Sequence, residues 1–148
     1  MKKIIPLFAT LSLLHFCLLG QSALKVTKLK PKEVPAEILP KGELKEVLRF
    51  ADREGDHLLV CSETGVTTSP SDESMRQAEL YARHYLLQNA HYTEGWMVTD
   101  YVRDCPVDLE AQFVPNTTQV TDLNKDGVGE VWIMYTTACH GDVSSSTM

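Results

Sequence analysis

A chain of 148 residues with 43% hydrophobic side chains has the size and composition of one modest globular domain, too short for dehydrogenase- or kinase-sized catalytic folds and too apolar for a disordered chain. Its 14 Lys and Arg face 20 Asp and Glu, a net charge of −6, which argues against nucleic acid as a partner.

Residues 1–22 read as a signal peptide. Lys2 and Lys3 precede an apolar run from Ile4 to Leu19, and Gly20 and Ser22 place small side chains at a cleavage site after Ser22. The run is too short and too interrupted, by Pro6, Ser12 and His15, for a retained anchor, so no membrane span is expected after cleavage. Leu14, His15 and Phe16 put bulk before Cys17 and argue against a lipid anchor there. The expected location is the periplasm, the outer surface or the medium. Loss of the leader takes two lysines and no acid, leaving 12 basic against 20 acidic residues and a charge of −8.

Residues 23–42 carry Lys25, Lys28, Lys30, Lys32 and Lys41 among Pro31, Pro35 and Pro40, the composition of a tether or an edge segment. Residues 43–148 form the expected β-rich domain, with 18 acidic and seven basic residues, a surface that attracts cations. Glu43 to Ala51 reads as a strand with Leu44, Leu48 and Phe50 on one buried face, an alternation that Val47 interrupts. Asp52 to Asp56 is a turn, and His57 to Cys61 returns as the second strand of a hairpin. Thr67 to Glu73 has no apolar period and reads as a surface loop. Met75 to Leu87 fits a helix or a strand by period; the strand-rich context favours a strand from Glu79 to Leu87, a turn at Asn89 and a return from Tyr92 to Val102. Cys105 to Phe113 and Val128 to Thr136 read as further strands, the second as a central strand apolar on both faces that needs cover on both sides. The fold class expected is mainly β: a small antiparallel sheet or sandwich-like domain with a calcium-loop hairpin, shortened at its C-terminus.

The calcium loop is Asp122 to Glu130. Oxygen-bearing side chains fall at its first, third, fifth and ninth positions, Asp122, Asn124, Asp126 and Glu130, and Gly127 at the sixth suits a sharp turn with positive φ. Val128 can add its carbonyl, and Leu123 and Lys125 then face outward. Crowded carboxylates repel unless a cation lies between them, so Ca2+ is the expected cofactor, bound weakly, with a Kd on the order of 10⁻⁴ to 10⁻³ M. The competing reading is an acidic Asx turn without metal. An EF-hand is not indicated, because its twelfth position would be Ile133.

Cys61, Cys105 and Cys139 survive cleavage and allow three single bridges. Cys105 with Cys139 is the expected pair, since the two flank the strands joined by the acidic loop; Cys61, beside Leu58, Leu59 and Val60, is then a buried thiol. Asp104, Asp108 and Glu110 can furnish a carboxylate pair for glycoside chemistry, since Asp108 and Glu110 share a strand face about 7 Å apart, against which stands a simple solvated face. Trp96 and Trp132 can stack on a sugar or fill a core.

The acidic loop resembles the Asp-x-Asp-x-Asp-Gly-x-x-Asp loops of FG-GAP and VCBS repeats, with Asn124 and Glu130 as variants and a single copy, so a propeller of repeated blades is not implied. A longer stretch, from Gly42 to Ser144, resembles a small family of exported Bacteroidetes proteins associated with surface polysaccharide biosynthesis. The matching segments include Phe50-Ala51-Asp52-Arg53-Glu54-Gly55, Cys61-Ser62-Glu63-Thr64-Gly65, Glu79-Leu80-Tyr81-Ala82-Arg83-His84-Tyr85, Asp104-Cys105-Pro106-Val107-Asp108, Thr121 to Glu130, and Cys139-His140-Gly141-Asp142-Val143-Ser144. The resemblance implies a process and no reaction, with further strands after the last segment. The expected function is an exported, calcium-stabilised binding or accessory protein whose partner is a cell-surface glycan or an envelope protein. The alternatives are a small polysaccharide-modifying enzyme and a structural fragment without ligand.

Overall fold

The structure, a computed structural model, describes residues 24–141; the leader, the Cys17 site and the residues after Gly141 lie outside them. The described residues hold ten strands and one short 3-10 helix, Pro31–Glu33. β1 (Thr27–Lys28), β2 (Glu43–Asp52), β3 (Gly55–Glu63), β4 (Thr67–Thr68), β5 (Arg76–Gln88) and β6 (His91–Cys105) form one antiparallel sheet, in which β3 lies between β2 and β5 and β5 pairs along its length with β6. β7 (Asp108–Phe113) pairs with β10 (Tyr135–His140), and β8 (Gln119–Thr121) with β9 (Glu130–Trp132), as two small antiparallel sheets. The mainly β expectation holds, with the strands divided among three antiparallel sheets.

The hairpins follow from local chemistry. The β2–β3 hairpin spans the turn expected at Asp52 to Asp56. The stretch that fits a helix or a strand by period is a strand, β5, and at Arg76 to Gln88 it is longer than the expected Glu79 to Leu87; β5 and β6 meet at Asn89 and Ala90, both at positive φ (50° and 67°), the backbone of a tight two-residue hairpin turn. Thr67 and Thr68, read as loop, add two residues to the sheet beside Gln77 and Arg76.

The sheet has a core on each face. From His57 to Glu63 β3 is buried continuously, Leu59 and Cys61 on one face and Leu58 and Val60 on the other. A bulge between Leu44 and Glu46 explains the interrupted alternation of β2: it turns Leu44 to the same face as Val47, while Leu48 and Phe50 occupy the opposite face. The first face is covered by Phe113, Val120, Val131, Ile133 and Tyr135 from the small sheets. The second is covered by Leu29, Val34 and Ile38, so the Pro- and Lys-rich segment is an edge strand followed by a lid on the sheet, not a tether. Glu63 ties the layers together, its carboxylate accepting the Phe113 amide at 2.7 Å and approaching Lys45 at 3.2 Å.

The expected central strand from Val128 to Thr136 is corrected. It is two short strands, β9 and the start of β10, separated at Ile133 and Met134 and lying outside the large sheet. Its alternation is that of a one-sided layer: Val131, Ile133 and Tyr135 pack inward, while Trp132 and Met134 are 52% and 58% exposed. A run of strand formers reports propensity for an extended backbone, and the interior positions of the large sheet are taken by β3 and β5. Likewise Cys105 ends β6, and the strand expected from Cys105 begins at Asp108.

The expected bridge is present. Cys105 and Cys139 are joined with a Cα–Cα separation of 5.8 Å, tying the end of β6 to β10. Cys61 is a free thiol with no exposed surface, and burial, with the negative charges of Glu46 and Glu63 adding to it, pushes its pKa up to about 12.

Candidate functional site

The acidic loop joins the antiparallel strands β8 and β9, and its side chains organise its own backbone. Asp122 Oδ2 accepts the Gly127 amide at 3.1 Å, Asn124 Oδ1 the Asp126 amide at 3.0 Å, Asp126 Oδ1 the Val128 amide at 2.8 Å, and Glu130 Oε2 the Leu123 amide at 2.9 Å. Gly127 has φ +84°, the left-handed backbone that its position requires, and Leu123 points outward. The four oxygen-bearing residues thus share one loop. Among the described residues, however, no set of three or more His, Cys, Asp or Glu side chains is gathered closely enough to hold a metal ion. One atom is left over: Asp122 Oδ1 is buried and without a hydrogen-bond partner, an acceptor that a cation or a donor would satisfy.

The loop is held from outside by the β2–β3 turn. The Arg53 amide donates to the Gly127 carbonyl at 2.8 Å, its guanidinium to the Asp126 carbonyl at 2.8 Å, and the Gly129 amide donates to Asp52 Oδ2 at 2.9 Å. Asp52 is the centre of a second arrangement that the sequence did not reveal. Its side chain is 1% exposed, and its Oδ1 accepts the Glu54 amide at 2.7 Å and lies 2.7 Å from His57 Nε2. A carboxylate only accepts, so His57 Nε2 donates to Asp52, and the other ring nitrogen of His57 shares a hydrogen bond with His84 Nε2, 2.8 Å away. His84 Nδ1 is buried and unpartnered. Burial raises the Asp52 carboxyl, but the amides of Gly129 and Glu54 and the His57 ring outweigh it and leave the carboxyl below its ordinary range. Burial, and then the neighbouring His57, lower the His84 pKa, against the opposing charge of Asp52.

The histidines belong to an aromatic stack. Phe50 lies on His57 at 4.7 Å, His57 on His84 at 5.1 Å, and His84 on Trp96 at 5.1 Å between ring centroids. Local irregularity makes room for it: a bulge opposite His84 leaves Gly95 unpaired, and a Cβ there would stand 2.7 Å from His84 Nδ1. Cross-strand pairing then sets His84 beside Trp96, Ala82 beside Val98 and Leu80 beside Asp100. These residues lie under the β9–β10 layer, and a cavity of about 240 Å³ opens between the two, with Phe113, Ile133 and Tyr135 on its other side. Burial and the adjacent Asp100 carboxylate push the Tyr135 hydroxyl pKa up.

The other sequence candidates are placed as follows. Asp108 and Glu110 do share a face of β7, but Asp108 is exposed and 3.8 Å from Arg76, and Glu110 Oε1 accepts from Thr136 Oγ1 at 2.8 Å and Gln112 Nε2 at 2.9 Å. The hydrogen bond from Thr136, then that from Gln112, lowers the Glu110 pKa, so it is set up as a carboxylate and not as a proton donor. Trp96 and Trp132 are 38% and 52% exposed, so neither is a core tryptophan; the Trp132 indole N–H donates to Thr121 Oγ1 at 2.8 Å. No helix among the described residues is long and apolar enough to cross a membrane. Comparison of the chain with known protein families, with curated proteins and with solved structures finds no match.

Proposed function

We propose that the chain is an exported binding or accessory domain whose β8–β9 loop takes up Ca2+ through Asp122, Asn124, Asp126, Glu130 and the Val128 carbonyl. The reading is carried by Asp122 Oδ1, a buried carboxylate oxygen with no partner at the first position of the loop. It is supported by Gly127 at φ +84° and by the remaining oxygen-bearing side chains within the same nine residues. The ion is structural: it neutralises the carboxylates and fixes a loop that Arg53 and Asp52 hold against the large sheet. The resemblance to exported proteins of surface polysaccharide biosynthesis supplies the setting, outside the cytoplasm, and the partner class, a surface glycan or an envelope protein.

The test is thermal unfolding in calcium, magnesium or chelator. A site with a Kd on the order of 10⁻⁴ to 10⁻³ M stabilises by about 1 to 3 kcal/mol in ~10 mM calcium, with magnesium much weaker. Asp126→Ala and Glu130→Ala each remove that increment. An unfolding temperature that does not respond to calcium in the unsubstituted chain overturns the reading.

A further inference from the structure

We propose that the cavity between β6 and the β9–β10 layer is a binding site for a small organic cation, an amine carried on a ring or a short apolar chain. The proposal does not rest on calcium in the acidic loop.

The volume sets the size of the guest. An apolar cavity of about 150 Å³ takes a molecule the size of benzene. The 240 Å³ here accommodates a ring with a short side arm. The lining sets the chemistry. It is apolar and aromatic, with Trp96, Val98, Phe113 and Ile133, and a single charged residue, Asp100, next to the Tyr135 hydroxyl. The Asp100 carboxylate is oriented, since its Oδ1 accepts the Tyr101 amide at 2.8 Å. The nearest arginine along the strand is used elsewhere: Arg103 lies over the Tyr101 ring and 3.8 Å from Glu79.

Charge then selects among guests that fit. An anion meets Asp100 and a domain that carries a net charge of −11 from residue 43 onward. A neutral guest strips water from a carboxylate that the Tyr101 amide and the Tyr135 hydroxyl satisfy only in part, and returns at most a neutral donor and no opposite charge, which costs free energy. An ammonium group supplies the donor and the opposite charge, and the Trp96, Phe113 and Tyr135 rings offer faces or edges to the rest of the molecule. The site is also prepared in advance, because Trp96 is stacked on His84 and little ordering is left to the binding step.

The experiment uses the full chain and calorimetric titration with 2-phenylethylammonium as the probe, with 2-phenylethanol and 3-phenylpropionate as the neutral and anionic comparisons. The amine is expected to bind at one site, about tenfold or more tighter than the alcohol, with no binding of the acid. Asp100→Asn abolishes the preference for the amine. Ile133→Trp fills the cavity and abolishes binding of both guests, with cooperative unfolding verifying that the variant is folded. Absence of binding at millimolar amine, equal affinity for amine and alcohol, or binding indifferent to both substitutions in folded protein overturns the proposal.

Discussion

Among single residues, His84 is the one whose protonation bears most directly on stability. Its folded pKa lies below the ordinary value, so as pH falls through about 6.5 the unfolded chain takes up the proton first and the folded state loses stability. The expected outcome is an unfolding temperature that declines from pH 7 towards pH 5, a slope that His84→Gln flattens. Asp52 acts in a lower window: its depressed pKa contributes stability above the usual carboxylate range, and that stability is lost as pH falls through the folded value. Little of this was legible in the sequence. Asp52, His57 and His84 are separated by 5 and 27 positions, and only the pairing of β3 with β5 brings them into line. Cys61 was legible, because the run of Leu58, Leu59 and Val60 directly before it places a small thiol in an apolar strand.

At the scale of elements, the Cys105–Cys139 bridge fastens β10, a strand with no hydrogen-bonded place in the large sheet, to the end of β6. With 34 positions between the cysteines, the chain-entropy argument puts its contribution at about 4 kcal/mol. Reduction, or the double change Cys105→Ser with Cys139→Ser, is expected to lower the unfolding free energy in denaturant titrations by a corresponding amount, with a steeper slope because the uncrosslinked unfolded chain exposes more surface. The hairpins of β2 with β3 and β5 with β6 were readable because alternation and turn residues are local properties. The fate of Val128 to Thr136 was not, because which strand occupies the middle of a sheet depends on partners distant in sequence. Composition cannot distinguish a strand covered on both faces from one whose second face meets solvent, as Trp132 and Met134 do.

For the whole molecule, the architecture is one large sheet covered differently on each side, by the small sheets on one and by the segment after β1 on the other. That segment is structural. Ile38→Ala, which opens a void over Val47, Leu58 and Val60, is expected to cost about 2 to 5 kcal/mol in denaturant titrations, as in any well-packed core. Two-sided cover was expected of Val128 to Thr136 but belongs to β3, and the identity of the lid was masked by its lysines and prolines. The cavity beside Trp96 had no sequence signature, because it exists only where two layers diverge. The grip of Asp52 and Arg53 on the acidic loop has a consequence for the order of assembly. Its hydrogen bonds join residues 77 and 73 positions apart, whereas β2 with β3 and β5 with β6 zip up from adjacent turns. Loop closure over such distances is slow relative to hairpin formation. The acidic loop therefore docks late, onto a platform already built, and the β2–β3 turn must wait for residues more than seventy positions further along before it closes its grip.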